Sequence, residues 1–268
     1  MSSAKRIISA LALFPFVALL LIFGNQIVID VAFSIIAIIC LHEFYNAFKK
    51  DNKPVEWIGY AVALLIAFIH IVPTPYVKNS LQLLLPTVTV ILFLAVVVTD
   101  MKVTIKDMMI TMLGIVYVLG FIVFIPMLRG AENGVYYIWY IIFIAWGTDT
   151  FAYFIGKKFG KHKFSKISPN KSIEGCIAGI VGAMIASLLY TLALNNIAGF
   201  TISYVYIAIV SLALSIISQV GDFAASSVKR YTGIKDYSSL IPGHGGMLDR
   251  CDSVIFIAPF AYFLLSIL

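Results

Sequence analysis

The sequence predicts an all-α, polytopic membrane protein with nine transmembrane helices. Of its 268 residues, 61% are hydrophobic and only 12% are charged, whereas about a quarter of the residues in a soluble domain are charged. A helix needs about 20 mostly apolar residues to cross the hydrocarbon core. This composition excludes a soluble globule, a disordered chain and a disulfide-stapled secreted module. The predicted spans are 7–23, 27–48, 57–72, 81–98, 108–128, 135–155, 177–194, 202–220 and 253–268.

The nine spans differ in length and in how they are joined. Spans 7–23 and 27–48 are separated by only three residues, which suits a tight hairpin. No small-residue cleavage site lies between them, so the first span is predicted to be a retained anchor rather than a signal peptide. Spans 57–72 and 253–268 are short for a full crossing.

The basic residues predict the orientation of the helices. If the N-terminus lies inside and the loops alternate, all but two of the 19 Lys and Arg residues fall in inner loops; only Lys78 and Arg129 fall outside. The positive-inside rule expects this partition. We therefore predict a multi-pass plasma-membrane protein with a cytoplasmic N-terminus, and the short loops favour a bacterial membrane. Because these loops account for the net charge of +6, no nucleic-acid partner is expected.

The chain is predicted to divide into two regions by role. Residues 1–134 form N-terminal transmembrane helices, which serve as a scaffold or as part of a lipid entrance. Residues 135–268 form the catalytic transmembrane region, because the polar motifs concentrate there. The chain has no internal repeat of the kind that builds many transporters.

Among the ionisable side chains within or at the ends of apolar segments, where an unpaired charge is costly, four are candidates for a functional role. His42 and Glu43 close the second span, Asp149 lies within the sixth, and Asp222 ends the eighth. With the predicted orientation, all four lie toward the inner face and could line one polar cavity. For Glu43, an ion pair with a lysine one or two turns further on is the alternative.

Two inner loops, 168–175 and 222–252, combine glycines, basic residues and carboxylates. Glycines let backbone amides approach an anion, Lys and Arg neutralise phosphate, and carboxylates hold a hard cation such as Mg²⁺. Asp249 and Asp252 share one face if the last span begins as a helix, and Asp222 is a third candidate ligand for one divalent metal. Taken singly, a Lys-Arg pair is usually a topology signal or a lipid-headgroup contact.

The second loop also carries a motif with fixed spacing. The motif covers residues 226–252. It begins with Ser226-Ser227-Val228-Lys229-Arg230 and ends with Gly243-His244-Gly245-Gly246-Met247-Leu248-Asp249-Arg250-Cys251-Asp252. It closely resembles the signature of phosphatidate cytidylyltransferases, also called CDP-diacylglycerol synthases. Cys251 departs from it, since that family usually has an aliphatic residue or Thr there. The 168–175 loop is similar to the family's Ser-Pro-x-Lys-Thr-x-Glu-Gly element, with Ser172 in place of Thr. Up to about Phe143 the chain is similar to the family only in being hydrophobic.

The resemblance implies that CMP is transferred from CTP to phosphatidic acid at the cytoplasmic leaflet with Mg²⁺, giving CDP-diacylglycerol and pyrophosphate. The implied metal ligands are Asp222, Asp249 and Asp252, with Asp149 a weaker candidate that could instead hold a second cation or orient a base. The implied catalytic residues are those three aspartates with His244 and Lys229. The implied substrate-binding residues are Lys171, Ser172, Glu174, Ser226, Lys229, Arg230, Lys235, Asp236, Gly245, Gly246 and Arg250.

Two other functions fit parts of the same pattern. A polytopic transporter would also bury polar residues in a helical bundle, but these polar residues crowd one membrane face rather than the midplane. A CTP-dependent lipid kinase of related general type is the nearer enzymatic alternative, and it would release CDP instead of pyrophosphate. The expected partners are CTP, phosphatidic acid and membrane lipids. So much apolar surface is also compatible with a homodimer, although no residue specifies one.

Overall fold

The structure is a computed structural model that describes residues 15, 17–71, 74–165, 167–241, 243 and 245–268, with the backbone alone for 74–82. Most of the predicted span 7–23 therefore lies outside the described residues, as does the predicted catalytic residue His244. Residues 17–23, at the end of that span, are helical.

The described residues form helices and no β-strand, apart from two isolated bridges. The helices are α1 Gln26–Phe48, α2 Glu56–Leu64 with a tighter turn at Leu65–Phe68, α3 Thr74–Val98, α4 Ile105–Gly130, α5 Gly134–Phe159, α6 Ile173–Ile197, α7 Tyr204–Thr232 and α8 Leu248–Leu265. Helix α4 comprises Ile105–Gly114, a π-helical turn at Ile115–Leu119, and the short helices Gly120–Ile122 and Phe124–Gly130.

The predicted fold class is confirmed. Five of the described helices, α1, α4, α5, α6 and α7, are long and apolar enough to cross a membrane, and shorter apolar helices occur at Glu56–Phe68 and Leu83–Val98. Each predicted span from 27–48 onward corresponds to a helix of the structure. The protein is therefore a polytopic, all-α membrane protein, and the total of nine crossings stays a prediction.

The chain forms two compact units. Unit 1 contains residues 1–130 and 232–250, and unit 2 contains residues 131–231 and 251–268. Helix α8 thus contributes its first turn to unit 1 and the rest to unit 2. The predicted division by role, into 1–134 and 135–268, stays a prediction.

Unit 1 packs around the buried face of α1. The fully buried ring of Tyr45 donates its hydroxyl to the carbonyl of Thr111, 3.0 Å away. Glycines allow α2 and α4 to approach this side chain, because a Cβ at Gly59 or Gly114 would collide with it. Thr104 caps α4 through a capping box, which fixes where this helix begins.

Unit 2 depends on close packing of α5 against α6. Small residues recur every four positions along α6, at Gly175, Gly179 and Ala183. This spacing places them on one helix face, where α5 can approach closely. A Cβ at Gly179 would lie 2.8 Å from the carbonyl oxygen of Thr148 in α5.

We predict that Gly179→Ala lowers the thermal unfolding midpoint of the purified protein in detergent. The added methyl group must push α5 and α6 apart, and such overpacking costs about 1–3 kcal/mol. Gly120→Ala is the matched control, because a Cβ there would have its nearest neighbour at an ordinary 3.7 Å. Equal midpoints for the two variants would contradict the close α5–α6 contact.

Candidate active site

Helix α7 carries much of the motif that the sequence analysis placed in a loop. The prediction that the helix ends at Asp222 is wrong, because α7 continues to Thr232. Gly233, with φ +74, follows the helix end, as is common. Asp222, Ser226 and Lys229 are spaced by four and three residues, so they lie on one face of α7. A continuous helix therefore sets the spacing of this part of the motif.

The 168–175 loop contacts α7 through Lys171. Its ammonium group forms an ion pair with Asp222 and lies 4.6 Å from the centre of the Phe223 ring. Phe164, which precedes this loop in the sequence, stacks on Phe223 with ring centres 4.8 Å apart. The structure thus brings together a predicted phosphate ligand and a predicted metal ligand.

Residues 162–164 pair antiparallel with residues 171–173, and polar side chains support this arrangement. The hydroxyl of Ser172 accepts the Gly175 amide and so caps α6. The carboxylate of Glu174 accepts the amides of Lys161 and His162, and it lies 2.6 Å from Nδ1 of His162. Ser172 and Glu174 therefore shape the loop that carries Lys171. Their predicted contacts with substrate stay predictions.

Helices α7 and α8 approach each other closely beside Asp252. A Cβ at Gly221 would lie 2.8 Å from the Asp252 carbonyl oxygen and 2.7 Å from the Cβ of Phe256. Asp252 precedes the predicted span 253–268 and is buried. Burial first, and then the negative charge of Asp222, raises the pKa of Asp252 above its usual range.

Two further groups act on Asp252. Asp149 adds to the rise in its pKa, and the positive charge of Lys229 opposes it. Residues of α5, α7 and α8 that the sequence analysis singled out therefore interact electrostatically within unit 2. A cation between Asp222 and Asp252 would remove the repulsion that this arrangement creates.

The carboxylates of the site suit Mg²⁺ only in combination with substrate phosphates. Within the described part of the chain, no three His, Cys, Asp or Glu side chains converge closely enough to hold a metal ion. Mg²⁺ in nucleotide-dependent enzymes is often bound by one or two carboxylates together with substrate phosphates, rather than by a cage of protein ligands. The pair formed by Asp222 and Asp252 fits that kind of site.

Asp249 has a structural role in unit 1. Its Oδ2 accepts the amide of Tyr237 at 2.8 Å and the amide of Gly246 at 3.0 Å, which joins the two ends of the 237–246 loop. Gly245, with φ +84, packs so closely that a Cβ would lie 2.9 Å from the same oxygen. Because the Gly246 amide donates to Asp249 here, it is not directed at a ligand. A metal-binding role for Asp249 and substrate contacts of Gly245 and Gly246 stay predictions.

The remaining predicted residues lie at the surface of the two units. Lys235, Asp236 and Arg250 of unit 1 are exposed, and so are Asp149 and Arg230 of unit 2. The guanidinium Nε of Arg230 lies 3.4 Å from the carbonyl oxygen of Ile167.

Sequence reasoning missed the role of Glu43. Lys49 pairs with Glu56 at 2.7 Å, whereas Glu43 is buried and accepts hydrogen bonds from the motif loop in unit 1. Its donors are the Ser238 hydroxyl and the amides of Met247 and Leu248. The available signal was a carboxylate in an apolar segment, which needs donors if it is buried. Nothing local in the sequence indicates that these donors lie about 200 residues away.

Comparison with known proteins decides the family. The model of the "Cytidylyltransferase family" matches residues 4–268. The chain belongs to this family. The match to the cytidylyltransferase family covers nearly the whole chain, including the N-terminal half, to which the sequence motifs assign no role.

Several members of the cytidylyltransferase family named phosphatidate cytidylyltransferase are similar to this chain. The protein from Bacillus subtilis is 42% identical over 145 residues, which cover 54% of this chain and 52% of that relative. The protein from Staphylococcus haemolyticus is 32% identical over 263 residues, covering 97% of this chain and 98% of the relative. The protein from Thermotoga maritima is 30% identical over 268 residues, covering 98% and 96%.

Proposed function

We propose that this chain transfers CMP from CTP to phosphatidic acid, forming CDP-diacylglycerol and pyrophosphate. The observation that carries the proposal is that Asp222, Asp252, Lys171 and Lys229 interact with one another, within or beside the two elements that resemble the family's motifs. Its relatives of nearly equal length are named for this activity. The proposed location is a bacterial plasma membrane, with the N-terminus and the site on the cytoplasmic side.

The reaction requires two anions to meet. An oxygen of the lipid phosphate attacks the α-phosphorus of CTP, a new P–O bond forms, and the bond from that phosphorus to the bridging oxygen of the β-phosphate breaks. Pyrophosphate leaves with the bond's electron pair. A phosphomonoester is largely ionised near neutral pH, so no side-chain nucleophile is needed. Catalysis is therefore mainly positioning and charge neutralisation.

The basic residues of unit 2 suit the polyphosphate. Lys229 and Arg230 lie in the last turns of α7, and Lys171 adjoins Asp222. Mg²⁺ would be held by Asp222 and Asp252 and would supply charge stabilisation at phosphate oxygens. Lys171 pairs with Asp222 in this structure, so substrate binding would transfer the lysine to a phosphate.

The labelled position in CTP tests the function. Purified protein in mixed micelles with phosphatidic acid is incubated with CTP labelled at the α- or the γ-phosphorus. We expect the α-label to enter the lipid and the γ-label to appear in pyrophosphate. Entry of the γ-label into the lipid would identify a lipid kinase instead, and no lipid label from either nucleotide would exclude both enzymes.

We predict that Lys229→Ala raises KM for CTP about tenfold, because one charge-assisted phosphate contact contributes about 1.5–3 kcal/mol. The rate at saturating substrate should change less. Lys157→Ala is the matched control, since the Lys157 ammonium group lies over the ring of Tyr153, outside the cluster. Unchanged KM values for both substrates in Lys229→Ala would contradict a phosphate-binding role.

A further inference from the structure

The geometry points to Glu43 as a positioning residue for the reaction, which gives the N-terminal half of the chain a defined part in catalysis. Glu43 lies near the end of α1 and is 3% exposed. Its Oε1 accepts the Ser238 hydroxyl at 2.6 Å and the Met247 amide at 2.9 Å, and its Oε2 accepts the Leu248 amide at 2.7 Å. This inference rests on the proposed function.

The contacts of Glu43 fix the start of α8. Helix α8 begins at Leu248, so the two amides belong to the group of helix N-terminal donors that have no partner within the helix. A carboxylate at this end also interacts favourably with the helix dipole. Glu43 therefore determines where the first turn of α8 lies relative to α1.

The loop before α8 is fitted to this carboxylate. A Cβ at Gly246 would lie 2.5 Å from Oε2 of Glu43, so a larger residue there would displace the carboxylate. Ser238, which donates to Glu43, also accepts the Leu240 amide at 3.1 Å. Glu43 thus holds both ends of the loop 238–247.

The first turn of α8 carries Asp249 and Arg250, and Asp252 follows directly after it. Misplacing catalytic groups by about 1 Å can reduce a rate about a hundredfold. Glu43 would act through this turn without touching the substrate. Loss of its bonds should therefore lower kcat more than it raises KM for CTP.

Glu43→Gln tests the inference. The amide group of Gln would place a donor opposite an N–H donor, so at least one backbone bond is lost. We expect kcat for α-label transfer to fall about ten- to a hundredfold, as for other residues that orient catalytic ligands. Amide hydrogen exchange in residues 245–250 should become faster.

Asp30→Asn is the matched control for loss of a buried carboxylate in α1. Asp30 is fully buried and accepts hydrogen bonds from Gln26 and His70, and it lies 13 residues from Glu43, about 20 Å along the helix. The inference is supported if kcat falls further in Glu43→Gln than in Asp30→Asn while the two variants have comparable thermal unfolding midpoints. Equal kcat values and equal exchange in the two variants would overturn it.

If Glu43→Gln does not fold, Ser238→Ala tests whether Glu43 acts as a positioning residue. It removes one donor and leaves both amides bound to Glu43, and we expect kcat to fall about tenfold, since one hydrogen bond to a charged group is lost. Wild-type kcat in Ser238→Ala would then overturn the inference. Absence of α-label transfer by the wild-type protein would instead refute the proposed function, so the two failures are distinguishable.

Discussion

Asp252→Asn is expected to reduce cytidylyl transfer about a hundred- to a thousandfold while leaving the protein at least as stable as the wild type. The loss of rate follows if Asp252 holds the cation that stabilises charge on the phosphates, since single electrostatic groups in active sites contribute about this much. Asn keeps the shape of the side chain but not its charge.

The stability of Asp252→Asn follows from electrostatics. Burial and the charge of Asp222 raise the pKa of Asp252, so the native protein binds this proton more tightly than the unfolded chain does. Ionisation of Asp252 therefore lowers the free energy of unfolding as the pH rises from the unfolded-state pKa to the folded-state pKa. Asn removes that penalty at neutral pH.

The α-label assay measures the loss of rate in Asp252→Asn, and thermal unfolding in the absence of divalent metal measures its stability. Cys251→Ala provides the control, because it alters the neighbouring residue of α8 without changing a charge and should retain near-wild-type activity. A clearly lower unfolding midpoint for Asp252→Asn would indicate that Asp252 stabilises the fold and would contradict the account.

Replacement of Asp249 is expected to separate two roles of one carboxylate. Oδ2 of Asp249 accepts both loop amides, and the single oxygen of Asn can do the same. Asp249→Asn should therefore preserve the loop and the unfolding midpoint. If Asp249 also binds the cation, the rate of cytidylyl transfer by Asp249→Asn should fall about a hundredfold or more.

Asp249→Ala removes the loop closure as well, leaving two amides without their acceptor, at about 1–3 kcal/mol for each buried donor. It should lower the unfolding midpoint, whereas Asp249→Asn should not. Near-normal turnover by Asp249→Asn in a membrane assay would show that Asp249 only closes the loop, and would remove it from the metal site.

The fold class was predictable because composition and segment length dominate in a bilayer. The predicted end of α7 was wrong because the span was ended where the apolar run stopped. In α7, the polar residues from Asp222 onward follow the helical period, so the helix continues to Thr232 beyond the apolar segment. The α6 repeat of Gly175, Gly179 and Ala183 was visible in the sequence and indicates close helix packing.

The chemistry of the site was predictable from residue types, but its connections were not. The motif indicated carboxylates and basic residues, and the structure pairs Lys171 with Asp222. The role of Glu43 depends on donors far along the chain. Such long-range contacts have no periodic or compositional signal, so only the folded chain reveals them.

Binding of Mn²⁺, used in place of Mg²⁺ because electron paramagnetic resonance detects it, tests the central claim most directly. The wild-type protein, Asp222→Asn and Asp252→Asn are titrated with Mn²⁺ at saturating CTP. The account predicts one protein-held ion in the wild type and affinity at least about tenfold weaker in each variant, because each carboxylate is a ligand. Equal Mn²⁺ affinity in all three proteins would contradict a cation site formed by these two aspartates.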